Sequence, residues 1–221
     1  MAIVKNRIVK KYLILCEGLD AANFLIAYLN SDTLMYDNRF RNVVQVMDFK
    51  GNEQLSNYIS NLKKFDGYTD VASILVLRDA EKNVRSAEDA VKSAFRKNDL
   101  PVPSCSNQWE RSDMPNTAYT LFPTCDTNLT SGTLEDLCWS ILADKNADEY
   151  RKDVQTFIKF VNQKYDSLTR FEHKGRLHTY FSVKDDFVTL KIGEAANAGA
   201  FDWSHQALEP LKKLIVAGWD G

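Results

Sequence analysis

Hydrophobic and polar positions along this chain alternate between short apolar runs and longer stretches with helical spacing. Residues 12–16 (YLILC) form an apolar run short enough for a buried strand and too short for a buried helix. Glu17 and Gly18 follow, and Asp20 opens a pattern that places Phe24, Leu25, Tyr28 and Leu29 on one helical face. Residues 42–49 (NVVQVMDF) read as a second strand, and 52–65 as a helix with Leu55, Tyr58, Ile59 and Leu62 inward. Residues 71–77 (VASILVL) read as a third strand that runs into Arg78-Asp79-Ala80-Glu81. Ser86 with Asp89 forms a capping-box pattern for a helix that buries Ala90, Val91, Ala94 and Phe95 and ends at Leu100-Pro101. Residues 103–116 are polar and irregular, the pattern of a loop. Residues 117–122 (TAYTLF) read as a fourth strand stopped by Pro123, followed by the stretch 126–132 and a helix from Thr133 with Leu137, Ile141 and Leu142 inward.

Strands alternating with helices at this spacing predict an α/β fold, a parallel sheet of about four strands joined by helical crossovers. Beyond it, 148–168 reads as a long helix with Val154, Phe157, Ile158, Val161 and Tyr165 as its apolar stripe. Residues 173–183 fit a helix or an extended segment equally well. Residues 207–216 read as a terminal helix with Leu208, Leu211, Leu214 and Ile215 inward and Pro210 in its first turn, where proline is tolerated. The organisation expected is a single domain over 1–221, with a core over about 10–143 and a C-terminal helical extension over about 144–221.

Composition changes this picture little. The chain has 221 residues, 44% hydrophobic and 26% charged, with net charge −2, which argues against coating nucleic acid by bulk charge alone. Of the four cysteines, Cys16 and Cys138 read as small core residues, and none of Cys16, Cys105, Cys125 and Cys138 forms a CxxC pair. That usage fits a reducing, cytoplasmic setting. No run reaches the roughly 18 apolar residues of a membrane span, and the N-terminal stretch lacks a signal-peptide apolar region. The three histidines, His173, His178 and His205, show no metal-binding spacing.

The chemistry lies in the acids. In a parallel sheet, Glu17, Asp79 and Glu81 leave the carboxyl ends of two strands, where open α/β sheets bind ligands. If those strands are neighbours, three carboxylates converge, and their mutual repulsion calls for a cation. Oxygen-only donors select Mg²⁺ first and Mn²⁺ second. Glu135 and Asp136, in the first turn of a helix, can supply a second site, although a helix amino end favours carboxylates without any metal. Equally, Glu17-Gly18 taken alone can be a plain turn.

CEGLD after one buried strand and VLRDAE at the end of another resemble the Toprim fold, a Rossmann-like arrangement found in topoisomerases, primases and OLD-type nucleases. Here the second motif is Asp79-Ala80-Glu81, with Glu in place of the family's last Asp. The segments SGTLEDL (131–137) and GAFDWSHQALEPLKKLI (199–215) are similar to segments of a small, uncharacterised bacterial Toprim-related family, which extends the resemblance over nearly the whole chain. The resemblance implies Mg²⁺-dependent phosphoryl chemistry on nucleic acid, DNA or RNA. In that scheme Glu17 is a general acid/base or metal ligand, Asp79 and Glu81 hold an ion, and Glu135 adds a second. Lys174 is the candidate basic catalytic residue and Arg176 a nucleic-acid contact. No GxxxxGK[ST] motif occurs in the sequence, so an ATPase domain like that of the OLD proteins would have to come from a partner. Two other readings remain: a catalytically silent Toprim-like module that binds nucleotide or nucleic acid for a partner protein, and a receiver-like switch. A receiver wants two adjacent acids after its first strand, which Glu17-Gly18 does not supply.

Overall fold

The computed structural model describes residues 7–31, 43–51, 54–113, 115–123, 130–165 and 172–218. Asn42, Asn52, Cys125, residues 126–129 and residues 166–168, each part of an expectation above, lie outside the described residues. The fold is α/β, a five-stranded, mostly parallel sheet flanked by helices. Strand β1 (Tyr12–Cys16) is central, β2 (Val44–Asp48) lies on one side of it, and β3 (Ser73–Asp79) on the other. Beyond β3 come β5 (Asn116–Phe122), parallel, and the antiparallel edge β4 (Trp109–Glu110), giving the order β2-β1-β3-β5-β4. The expected adjacency of the first and third strands is present, with Tyr12 opposite Ser73 and Cys16 opposite Leu77.

Side chains alternate across the sheet with the period of two that a strand imposes. Ile14, Cys16, Leu75, Leu77, Ala118 and Phe122 face one side, and Leu13, Leu15, Ile74, Val76, Tyr119 and Leu121 the other. Helices α2 (Leu55–Leu62) and α3 (Val84–Lys97) cover the second side with Leu55, Ile59, Val91 and Phe95. The first side is deeper. Helices α1 (Leu19–Leu29) and α4 (Leu134–Ser140) join there with the extension: α5 (Ala147–Tyr165), α6 (Glu172–Ser182), α7 (Ile192–Asn197) and α8 (Glu209–Ala217). Leu177, Phe181 and Leu211 share one buried cluster with Ile14 and Leu75, so the extension packs on the same core as the strands.

Several expectations are corrected. The sheet has five strands rather than about four, because two residues of the expected loop pair with the open edge of β5. Two residues are too few to show alternation. Helix α3 is capped by Asn83, whose Oδ1 accepts the Ser86 N–H, and not by Ser86 itself. The ambiguous 173–183 stretch is helix α6, and α7 was not foreseen at all. The stripe assigned to α5 holds only in part. Val154 and Ile158 are buried, while Phe157 and Tyr165 are exposed because α5 meets the rest of the molecule along a narrower seam. Among the described residues no helix is long and apolar enough to cross a membrane.

Candidate functional site

The chain leaves β1 through α1 to β2 on one side, and β3 then adds on the other. The strand order therefore switches between β1 and β3, where an open parallel sheet forms a crevice at its carboxyl end. Glu17 and Asp79 stand at that switch. The Glu17 N–H continues the ladder to the Leu77 carbonyl at 3.1 Å, and the Asp79 N–H reaches back to the Glu17 carboxylate. Gly18 turns the chain into α1 with φ 89°, a left-handed value that side chains avoid. Asp48, at the end of β2, holds this turn by accepting the Gly18 N–H at 2.9 Å.

Two residues beyond Asp79, Glu81 has a positive φ of 55°, unusual for a residue with a side chain. Two backbone hydrogen bonds with Gly132 fix it, Glu81 N–H to Gly132 carbonyl at 2.8 Å and the reverse at 2.9 Å. Gly132 must be glycine there, since a Cβ would come within 2.2 Å of Pro123 Cδ. The same junction brings the start of α4 over β3, so that the Leu134 N–H donates to Asp79 Oδ1 at 2.8 Å. Asp136 closes the first turn of α4, its Oδ2 accepting from the Thr133 N–H at 2.9 Å and the Thr133 hydroxyl at 3.0 Å.

Helix α6 supplies the basic wall. Lys174 Nζ lies 3.4 Å from Glu135 Oε1, and Arg176 donates to Asp136 Oδ1 at 2.7 Å while its guanidinium stands 5.9 Å from the Trp139 ring centre. Between the walls is a cleft of about 570 Å³ lined by Asp79, Glu81, Lys82, Thr133, Lys174 and Arg176, among others. Of the residues expected at the site, Asp79, Glu81, Lys174 and Arg176 line the cleft. Glu17 and Glu135 do not line it.

The electrostatics reflect the crowding. Burial pushes the Asp79 pKa up to about 7; the hydrogen bond from Leu134 opposes this, and Glu135, Glu17 and Glu81 add to it. Burial likewise raises Glu17, opposed by Arg78 and by the Asp79 N–H, and reinforced by Glu81 and Asp48. Arg78 is itself buried, with Nε 3.6 Å from Glu17 Oε2, an oxygen that is buried without a hydrogen-bond partner.

An orphaned buried carboxylate oxygen and four acids repelling one another match the donor chemistry of a hard divalent cation. Among the described residues, however, no three His, Cys, Asp or Glu side chains stand close enough to share an ion. Asp79 and Glu135 are held instead by the Leu134 N–H and by Lys174, and Glu17 lies beside Arg78. Sequence reading missed Asp48, Arg78 and His173, which lines the cleft. The first two carried a signal: an acid near the Lys50-Gly51 turn at a strand end, and a charge directly after an apolar run. His173 carried none.

Fold and site together define a parallel α/β protein with an acidic cleft at the switch point of its sheet, faced by cations from a helical extension. The chain belongs to the family described as "Protein of unknown function (DUF3226)", whose model matches residues 11–216. No curated protein and no solved structure matches it.

Proposed function

We propose that this protein is a divalent-cation-dependent phosphoryl-transfer enzyme acting on nucleic acid, a small nuclease of Toprim type. The observation that carries the reading is the placing of Asp79 and Glu81 at the β1/β3 switch point, with Glu17 nearby, opposite Lys174 and Arg176 across one cleft. Asp79, Glu81, Glu17 and Glu135 are the residues that would hold Mg²⁺ or Mn²⁺. Bound there, the ion would polarise the phosphate and offset the charge of the acids.

In phosphodiester hydrolysis water attacks phosphorus, the bond to the leaving oxygen breaks, one proton leaves the water and one reaches the leaving oxygen. Glu17, off the cleft lining, has the proton affinity a general acid or base needs, since burial holds it above that of an ordinary carboxylate. Lys174, more than half exposed at the cleft, is placed to meet a phosphate oxygen. Arg176 is already oriented by Asp136, so its guanidinium presents a fixed cation to the backbone of a strand.

The test is cutting of plasmid and of single strands with Mg²⁺ or Mn²⁺, with and without chelator. Asp79→Asn keeps an acceptor for the Leu134 N–H and removes the charge. It should slow cutting about a hundredfold or more, on the order of 3 kcal/mol of transition-state stabilisation. Cutting that survives in Asp79→Asn sinks the reading.

One observation favours a second reading, a silent module that binds nucleic acid for a partner such as an ATPase. The acids are already engaged by groups of the protein itself, without a ligating triad. Millimolar Mg²⁺ separates the two. For an ion of about 1 mM affinity, 10 mM should stabilise the enzyme by about 1.4 kcal/mol through mass action, and should leave the silent module unchanged.

A further inference from the structure

Helix α5 divides into two unlike halves. Its acids, Asp148, Glu149 and Asp153, all fall in the first two turns. From Val154 to Tyr165 there is no carboxylate, and Lys159 and Lys164 are both exposed. The exposed large aromatic side chains among the described residues are Phe157, Phe160 and Tyr165, at 56%, 57% and 62%, all in this second half. Phe157 and Phe160 are three apart and Phe160 and Lys164 four apart, so they form one stripe on the helix surface. Lys164 Nζ lies 5.7 Å from the Phe160 ring centre and 5.0 Å from that of Tyr165, which sets a cation among the rings. Leaving such rings in water is unfavourable, and the core seam of α5 runs through Val154 and Ile158 instead.

This stripe is connected to the cleft wall through the chain itself. Tyr165 ends α5, and Glu172 begins α6, whose first residues, Glu172, His173, Lys174 and Arg176, line the cleft. The six residues between them limit the separation of Tyr165 and Glu172 to about 25 Å at most. The two helices are also in contact with each other, and the short connection keeps the aromatic end of α5 within that reach of the basic end of α6.

We propose that the second half of α5 is a platform for single-stranded nucleic acid, continuous with the cleft, and that the substrate is therefore a single strand. Flat exposed rings stack on bases without regard to sequence, and Lys164 among them meets the phosphates. A duplex keeps its bases stacked on one another and offers such rings nothing but backbone. The inference rests on the nucleic-acid reading of the cleft, yet its test needs no turnover.

The measurement is fluorescence anisotropy of a labelled oligothymidine of about 12 nucleotides, and of a duplex of equal length, in chelator across a salt series. Wild type should bind the single strand more tightly than the duplex. Phe157→Ala with Phe160→Ala should weaken single-strand binding about tenfold or more, leaving duplex binding and the melting temperature unchanged, since both rings are exposed. Phe160→Trp should retain binding, and Lys164→Ala should reduce the salt slope by about 0.7. Single-strand binding untouched by the double substitution, or absent in wild type at low salt, overturns the platform. So does a wild-type oligomer that falls to monomer in the double variant while strand binding persists, for the rings then serve a protein contact. The nuclease reading is judged separately, by Asp79-dependent cutting. A platform that binds in a protein that never cuts leaves this inference standing alone.

Discussion

The two walls of the cleft are built by different means. The acidic wall hangs from a strand end: Asp79 closes buried β3, with Glu17 after β1 beside it, and backbone hydrogen bonds of β1, β3 and the α4 junction fix where they start. The basic wall hangs from α6, a helix with only Leu177, Tyr180 and Phe181 buried beneath it. Its cations reach the cleft by pairing with acids of the first wall, Lys174 with Glu135 and Arg176 with Asp136. One wall is positioned by backbone geometry and tolerates its own repulsion. The other is positioned by that repulsion, because uncompensated carboxylates draw cations in. Severing α6 from the core should therefore disturb the bases and spare the acids.

Leu177→Ala tests this most severely. Leu177 is fully buried under α6, and truncation there should cost about 3 kcal/mol, read as a lower urea midpoint at unchanged slope. If the comparison holds, the variant also loses nucleic-acid affinity while Asp79 keeps its raised pKa by carbon-detected NMR. A fall of both together would mean that the walls are one cooperative unit.

The same difference explains what was legible in the sequence. The β1–Glu17–Gly18–α1 and β3–Asp79 junctions are local, a few residues each, and alternation plus glycine placed them nearly to the residue. β3 lies two residues further along than the expected 71–77, because Arg78 and Asp79 are charged yet lie within the strand. Adjacency of β1 and β3 was expected from the acids themselves and is present. The extension was less legible. Residues 173–183 carry Gly175 and two histidines and show no clean period, and their helical state is decided by docking on α4 and α5. The exposure of Phe157 and Tyr165 was illegible for the same reason, since an apolar residue on a helix does not state which neighbours will reach it.

Asp79 offers a pH test on the acidic wall alone. Its carboxyl holds a proton up to about pH 7 when folded. In the unfolded chain it loses that proton near the ordinary value of about 3.9. Between those limits the folded state binds more protons, so in chelator its contribution to stability falls as pH rises through the window. Asp79→Asn removes the penalty. It should stabilise the metal-free protein by on the order of 2 kcal/mol at pH 8, and the gain should vanish below about pH 4, where both side chains are neutral. A gain that does not change with pH would place its origin in packing rather than in carboxylate crowding.

The smallest effect sits where the walls touch. Asp136 serves both, with one carboxylate oxygen taking the Thr133 N–H and hydroxyl and the other taking Arg176. Asp136→Ala removes the cap and the ion pair together and should cost about 1.5 kcal/mol. Asp136→Asn keeps an acceptor for Thr133 and gives up the charge and the hydrogen bond facing Arg176. That pair is partly exposed, so its share should be about 0.5 kcal/mol. The two variants should therefore differ in stability by about 1 kcal/mol and weaken strand binding to a similar degree. With its carboxylate partner gone, Arg176 keeps its place over Trp139 but loses the hydrogen bond that aims it. Equal binding by Asp136→Asn and wild type would mean that Trp139 alone orients the guanidinium, and that the basic wall depends on the acidic one less than their pairing implies.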